Sequence, residues 1–187
     1  MSVDWNAELV DQLSWHWDNQ LRPRMSGLTD DEYLWEPVVG CWNLRPRGEG
    51  RAAVAVGSGE WLLDFDPAEP VPTPVTTIAW RVGHLLVGIF GMRNASHFGG
   101  APADYMGYDY PQHADDALAQ LDALQAHWVA GVKSLTPDDL AKPCGETGYE
   151  SSPMAALILH INREVIHHGA EIALLRDLYS WGNGDVG

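Results

Sequence analysis

The sequence has 187 residues, a formal net charge of −15 and a hydrophobic content of 45%. This length predicts one domain, residues 1–187, and the apolar content is enough for a packed core. The negative charge would repel a nucleic-acid backbone or an anionic membrane surface, so neither is an expected partner.

The N-terminal stretch MSVDWNAELVDQLSWHWDNQ opens the first predicted long helix, which runs roughly from Asp4 to Arg22 and is expected to end near Pro23. The same stretch is acidic and lacks the basic and apolar regions of a signal peptide, which predicts a cytoplasmic protein. Cys41 and Cys144 are far apart in the sequence, and their spacing demands neither a disulfide nor an oxidising compartment.

The segment between the first two predicted long helices breaks the helical pattern. It starts with a short turn of helix that carries the capping-box pattern Thr29-x-x-Glu32. Within residues 44–73, two short β-like runs surround the sequence Gly57-Ser58-Gly59. A small β-hairpin or an ordered loop is therefore predicted before the second long helix.

Three further long helices are predicted, and they are expected to cover approximately residues 74–97, 111–135 and 153–179. Two of these helices, and a short turn between the third and the fourth, begin at a hydroxyl residue followed by proline: Thr73-Pro74, Ser152-Pro153 and Thr136-Pro137. Four long helices in one domain predict an all-α fold of the four-helix bundle type.

The segment HINREVIHHGAEI, residues 160–172, places ionisable side chains inside an apolar helical pattern. At about 100° per residue, Glu164 and His168 lie one turn apart, and His168 falls within the apolar stripe. A carboxylate and an imidazole on a core face need a partner. A divalent metal ion bound by both is one solution, and a Glu–His ion pair or a wet cleft is the other. The spacing differs from the HExxH and HxxEH zinc motifs, so both interpretations stay open.

A third metal ligand would come from another helix, and His84 is the best candidate because it interrupts the most apolar helix of the chain. Small residues share its helical face: Thr77, Gly88, Gly91 and Ala95. They leave space either for close helix packing or for a ligand beside the imidazole. A histidine in such a position is, by itself, typical of a satisfied core residue. The metal interpretation therefore depends on Glu164 and His168.

The segments TTIAWRVGHLL and HINREVIHHGAEI together resemble the DinB/YfiT-like metalloenzyme superfamily. WEPVVGCWNLRPR resembles the segment between the first two long helices in actinobacterial members. The resemblance implies a four-helix bundle with a three-ligand metal site, in which many members use three histidines. Here His84 and His168 match two of them, and Glu164 stands in place of the other. This His/Glu/His form resembles the branch of mycothiol-dependent maleylpyruvate isomerase and mycothiol S-transferases.

What the resemblance implies is thiol chemistry. The expected function is a metal-dependent S-transferase that conjugates a low-molecular-weight thiol, mycothiol, to an electrophilic small molecule. Zn²⁺ is the expected ion, with Ni²⁺ or Mn²⁺ as alternatives. The isomerase has an additional C-terminal domain, and the sequence ends soon after the fourth helix, so we expect a transferase rather than the isomerase. Both substrates are small molecules, and a homodimer is an open option.

Two other functions remain open at the level of the sequence. One is metal-dependent isomerisation or hydrolysis through a bound water, and the other is a non-enzymatic metal-binding bundle protein. A fourth protein ligand that closes the site would favour the non-enzymatic alternative.

Two residues are the expected catalytic side chains. His160 would handle a proton beside the metal, and Arg81, one turn before His84, would meet an anionic substrate. The alternatives are a surface ion pair for Arg81 and an exposed helix-edge position for His160 and, more so, for His167. By resemblance, Trp42 and Arg45 lie near the mouth of the cleft, with loop packing as the alternative for Trp42.

Overall fold

The computed structural model describes residues 3–68 and 70–183, and these ranges are mostly helical. The first long helix consists of α-helical Trp5–His16, π-helical Trp17–Leu21 and the α-helical turn Arg22–Arg24. The second consists of Ile78–His84, the π-helical Leu85–Gly91 and Met92–Phe98. The third and fourth long helices are Ala114–Lys133 and Met154–Asn183, and two short helices are Asp30–Tyr33 and Pro137–Ala141.

A small antiparallel sheet lies between the first two long helices, with strands β1 (Leu44–Pro46), β2 (Val54–Val56) and β3 (Trp61–Phe65) in the order β1-β3-β2. The predicted hairpin is confirmed, since β2 and β3 pair on either side of Gly57-Ser58-Gly59. Gly57 has a φ of +137°, which favours glycine at this turn. Strand β1 was not predicted, because a three-residue run containing arginine and proline gives no strand pattern.

The long helices pack pairwise. The first contacts the third and the fourth, and the second also contacts the third and the fourth. Each supplies fully buried apolar side chains to a shared core, for example Leu13, Phe90, Leu121 and Ile161. Among residues 3–68 and 70–183, no helix is both long enough and apolar enough to cross a membrane. The contact between the second and fourth long helices places His84 opposite Glu164 and His168.

The first long helix ends at Arg24, one residue after Pro23, so the predicted end near that proline is confirmed. The π-helical residues Trp17–Leu21 come directly before the closing turn, and Pro23 lies in the first positions of that turn. A proline is tolerated at the start of a helical turn, where its missing N–H donor is not needed.

The second long helix begins at Ile78, so the predicted start at Thr73-Pro74 is wrong. Two backbone hydrogen bonds with Trp42, of 2.9 and 3.0 Å, hold residues 75–77 in an extended conformation. Thr77 is the capping residue instead, and its hydroxyl accepts a backbone N–H of the first turn at 3.2 Å. Tertiary pairing with Trp42 thus overrides the local start signal.

The third long helix also begins later than predicted, at Ala114. The Asp30 carboxylate, on the short helix Asp30–Tyr33, accepts the backbone N–H of Ala114 at 2.8 Å and so caps the third long helix. The fourth begins at Met154, whose N–H donates to the carbonyl oxygen of Lys142 at 2.8 Å, and the carbonyl oxygen of Pro153 accepts the N–H of Ala156 at 2.9 Å. It continues to Asn183, beyond the predicted end near Tyr179, and residues 184–187 lie outside the described residues.

Asp64 connects the sheet to the second long helix. Its fully buried carboxylate accepts a hydrogen bond from Arg45 Nε at 2.8 Å and from the backbone N–H groups of Asn43 and Arg51 at 3.1 and 2.9 Å. Its main-chain oxygen accepts the indole N–H of Trp80 at 2.7 Å. A buried carboxylate is stable only with partners of this kind, so the sheet and the helix depend on each other.

We expect Asp64→Asn to lower the free energy of unfolding by about 3 kcal/mol, because it leaves the buried Arg45 guanidinium with less compensating charge. Chemical denaturation measures this change. Asp18→Asn, which makes the same charge change on the exposed surface, is the matched control. Equal effects of the two substitutions would show that the Asp64 carboxylate does not join the sheet to the helix.

Candidate metal centre

His84, Glu164 and His168 converge between the second and fourth long helices. One donor atom from each lies within 4.8 Å of the other two. His168 Nε2 is 3.7 Å from Glu164 Oε2, and the rings of His84 and His168 meet edge to face with their centroids 4.9 Å apart. All three side chains are partly buried. The structure thus brings together the three residues that the sequence proposed as metal ligands.

Helix geometry explains how each ligand candidate reaches this point. Glu164 and His168 are one turn apart on the continuous helix Met154–Asn183, so both side chains project from one face. His84 is the last residue of α-helical Ile78–His84, and the π-helical segment starts directly after it. Irregular turns of this kind are frequent at functional sites, because they redirect a side chain without ending the helix.

The His84 ring is held by two aromatic neighbours. Its Nδ1 is 2.7 Å from the Tyr105 hydroxyl, and the Trp80 ring stacks on it at a centroid distance of 5.7 Å and an angle of 12°. A β-carbon at position 88 would collide with the Tyr105 hydroxyl, so Gly88 is needed for this contact. At Gly88 the missing side chain makes room for Tyr105, which lies in the connection after this helix and not on another helix. The hydrogen bond to Nδ1 leaves Nε2 as the nitrogen free to bind a cation.

The His168 ring is held by a carboxylate. Its Nδ1 lies 2.8 Å from Glu171 Oε2, and Arg81 forms an ion pair with the same oxygen. Because an ionised carboxylate only accepts hydrogen bonds, Nδ1 carries the proton and Nε2 presents its lone pair towards Glu164. Partners of this kind orient metal-binding histidines in proteins generally.

The environment keeps both imidazoles uncharged at neutral pH. Burial, with a smaller effect of the charge on His168, lowers the pKa of His84 to about 3. Burial also lowers the pKa of His168, against an opposing effect of Glu171. Burial raises the pKa of Tyr105 to about 12, so the phenol stays protonated. Neutral imidazole is the form that binds metal.

The donor set fits a divalent cation. Two imidazole nitrogens and one carboxylate oxygen are ligands that Zn²⁺ and neighbouring first-row ions accept. The 3.7 Å between His168 Nε2 and Glu164 Oε2 is close to the edge of about 3.4 Å that a tetrahedral zinc site requires. A cavity of about 300 Å³ is bordered by two of the three ligand candidates, His84 and Glu164, and its wall also includes Gly88, Arg93, Tyr105 and His160. One side of the cluster therefore faces open space.

A second cluster, formed by His167, His168 and Glu171, shares one histidine with the first. It fits a cation less well, because the Arg81 guanidinium already pairs with Glu171 and would repel a positive ion there. The side chain of His167 is also 61% exposed. We therefore take the cluster with His84 as the candidate site.

The two expected catalytic residues have different surroundings. His160 borders the cavity, and its Nδ1 lies 3.4 Å from Glu164 Oε1 and 2.7 Å from an Arg163 nitrogen. Arg81 instead pairs with Glu171 behind His168, and its side chain is 14% exposed. In this position Arg81 contacts the site through Glu171 and His168.

The two residues placed near the cleft mouth by resemblance pack within the fold. Arg45 is 7% exposed and donates to Asp64, Glu36 and the carbonyl of Cys41, so its hydrogen bonds are taken up within the fold. Trp42 packs against Trp80 at a centroid distance of 5.9 Å. Trp42 thus supports the stack that holds His84.

The sequence interpretation missed Tyr105 and Glu171. Glu171 lies three residues after His168, so the helical period of the fourth helix could have revealed it. Tyr105 lies in the connection between the second and third long helices, where no periodicity links it to His84.

A family model that describes the DinB superfamily matches residues 12–172, which is most of the chain. The chain therefore belongs to the DinB superfamily, as the resemblance predicted. Comparisons with curated proteins and with solved structures gave no significant match.

The lowered pKa of His84 predicts how stability depends on pH in metal-free protein. Below about pH 6.5 the unfolded chain binds a proton at this imidazole, whereas the folded chain does so only near pH 3. The free energy of unfolding should therefore fall as the pH drops through this window, and His84→Gln should reduce the slope. Denaturation at a series of pH values in the presence of a chelator measures both slopes. Identical slopes would mean that the folded protein does not hold His84 uncharged.

Proposed function

We propose that this DinB-superfamily protein is a metal-dependent S-transferase, which conjugates a low-molecular-weight thiol to an electrophilic small molecule. The observation that carries the proposal is the convergence of His84, Glu164 and His168 beside an accessible cavity of about 300 Å³. Three protein ligands with one open side are typical of catalytic rather than structural sites. We also interpret the pairwise packing of the long helices as a four-helix bundle.

Zn²⁺ is the ion that we propose, with Ni²⁺ or Mn²⁺ as alternatives, and mycothiol is the proposed thiol. The donor set of two imidazoles and one carboxylate supports a divalent ion of intermediate softness. The thiol rests on the resemblance of the His/Glu/His pattern to thiol-using relatives. A cation at this position would supply the positive charge that lowers the pKa of a coordinated thiol.

The side chains around the cluster have separate tasks. Tyr105 and Glu171 bind Nδ1 of His84 and of His168, so Nε2 is in each ring the nitrogen available to a cation. Glu164 contributes one negative charge, which partly offsets a divalent ion. These contacts exist before any substrate enters, so little reorganisation is needed when the substrate binds.

His160 is the proposed proton acceptor. Its Nδ1 lies 3.4 Å from Glu164 Oε1, and this carboxylate would stabilise a protonated ring. The same Nδ1 accepts a hydrogen bond from Arg163, which is released when the nitrogen takes up a proton. As the sulfur forms its bond to the electrophilic carbon, the thiol proton passes to His160 Nδ1. The proton then moves to the leaving group, or to the adjacent carbon if the reaction is an addition.

The proposal is tested by comparing His84→Ala with His167→Ala. Both remove an imidazole beside His168, but only the first removes a proposed ligand. We expect His84→Ala to lose most of its bound metal and its thiol conjugation, whereas His167→Ala should keep both. Metal content by mass spectrometry and thiol consumption with a panel of electrophiles, including reactions with mycothiol, measure the outcome.

Two results would contradict the proposal at different points. Full metal content in His84→Ala, with loss in His167→Ala, would move the ion to the cluster with Glu171. If metal-free and metal-loaded wild-type protein conjugate every tested thiol equally well, the proposed metal-dependent S-transfer is wrong. The water-based or non-catalytic alternatives would then replace it.

A further inference from the structure

A second cavity, of about 360 Å³, adjoins the cavity of the candidate metal centre. Arg93 and His160 border both cavities, so the two spaces meet at these side chains. The second cavity extends from there towards the loop that carries Cys144 and Glu146. Its volume lies within the range of small-molecule sites in proteins.

Arg93 is a largely buried guanidinium with unused hydrogen-bonding capacity. Its side chain is 21% exposed, and its Nε is buried without a hydrogen-bond partner. Glu146 Oε2 lies 3.4 Å from that nitrogen, while the other Glu146 oxygen binds His97 Nε2 at 2.7 Å. Glu146 thus offsets part of the charge of Arg93 without satisfying its donors. A buried donor without an acceptor is costly, so the arrangement favours an additional anion.

The wall of this cavity is polar at one end and apolar at the other. Arg163 and His160 add donors near Arg93, whereas Ala156 and Leu157 supply aliphatic surface. Two arginines at one cavity stand out in a chain with 11 basic and 26 acidic residues. A planar guanidinium fork matches a carboxylate through two parallel hydrogen bonds.

We infer that the cavity is the binding site for a small organic carboxylate, whose acid group binds Arg93 and whose hydrocarbon part lies against Ala156 and Leu157. The identification of this acid as the electrophilic substrate rests on the proposed S-transfer, since Arg93 and His160 also border the ligand cluster. The binding of the carboxylate itself does not depend on metal or thiol. Substrates with a free acid group should therefore be preferred over their amides or esters.

The test uses 4-fluorophenylacetate and its neutral counterpart 4-fluorophenylacetamide as probes. Binding to chelator-treated protein is followed by fluorine NMR, so that a metal ion cannot hold the acid. We expect the carboxylate to bind about tenfold more tightly than the amide to wild-type protein. Arg93→Gln should remove this preference, and Arg93→Lys should keep part of it, because a single ammonium lacks the fork.

Two further variants separate the site from general effects. Arg47→Gln makes the same charge change at an exposed position that does not border the cavity, and it should leave the preference unchanged. Glu146→Gln removes the carboxylate that competes for Arg93 and should tighten binding of the acid. A gain in affinity cannot be produced by a loss of folding.

The inference is overturned if wild-type protein binds the acid no better than the amide, or if Arg93→Gln and Arg47→Gln behave alike. The proposed S-transfer fails separately, through metal-independent conjugation. A carboxylate preference without thiol conjugation would leave the anion site in place and assign it to a different reaction. Metal-dependent conjugation without a preference for the carboxylate would reject the carboxylate site and leave the proposed S-transfer in place.

Discussion

The imidazole of His84 is restrained from three directions, and the candidate site depends on that restraint. Trp80 stacks on one face, Tyr105 binds Nδ1 and the edge of His168 lies 4.9 Å away between ring centroids. These neighbours come from the second long helix, the following connection and the fourth long helix. A ring fixed in this way keeps Nε2 directed at one point, which is the main requirement for a preorganised metal ligand.

The small sheet also helps to restrain the His84 ring, because it holds Trp80 in place. The buried carboxylate of Asp64 organises β3 and the start of β1, and the same residue holds the indole of Trp80 through its carbonyl oxygen. Arg45 belongs to this support, because it neutralises Asp64 instead of facing a substrate. The small sheet therefore contributes to the site by positioning an aromatic side chain that packs on His84.

Carboxylate and imidazole side chains lie next to each other along the fourth long helix. Glu164 lies beside His160 and His168, and Glu171 lies beside His167 and His168. The positive charge of Arg81 marks Glu171 as a supporting carboxylate, whereas Glu164 faces the open cavity. This difference separates the side chain that would contact a cation from the one that would only orient its ligand.

The sequence predicted those parts of the fold and the site that have a local signal. The pairing of Glu164 with His168 follows from helical spacing, and the β2–β3 hairpin follows from glycines between two β-like runs. Tyr105 could not be found, because it reaches His84 through tertiary packing of an irregular connection. The same cause explains the late start of the second long helix, where pairing with Trp42 overrides a local proline signal. The π-helical segments likewise have no local sequence pattern that predicts them.

We propose that His84, Glu164 and His168 together bind one divalent ion. X-ray absorption spectroscopy of zinc-loaded protein tests it most directly, because it identifies the atoms around the metal. We expect two imidazole nitrogens and one carboxylate oxygen at about 2.0–2.2 Å, with no sulfur, and a weaker imidazole signal in His84→Ala. A sulfur shell at about 2.3 Å, which would indicate ligation by Cys41 or Cys144, would contradict it. So would a spectrum without imidazole scattering.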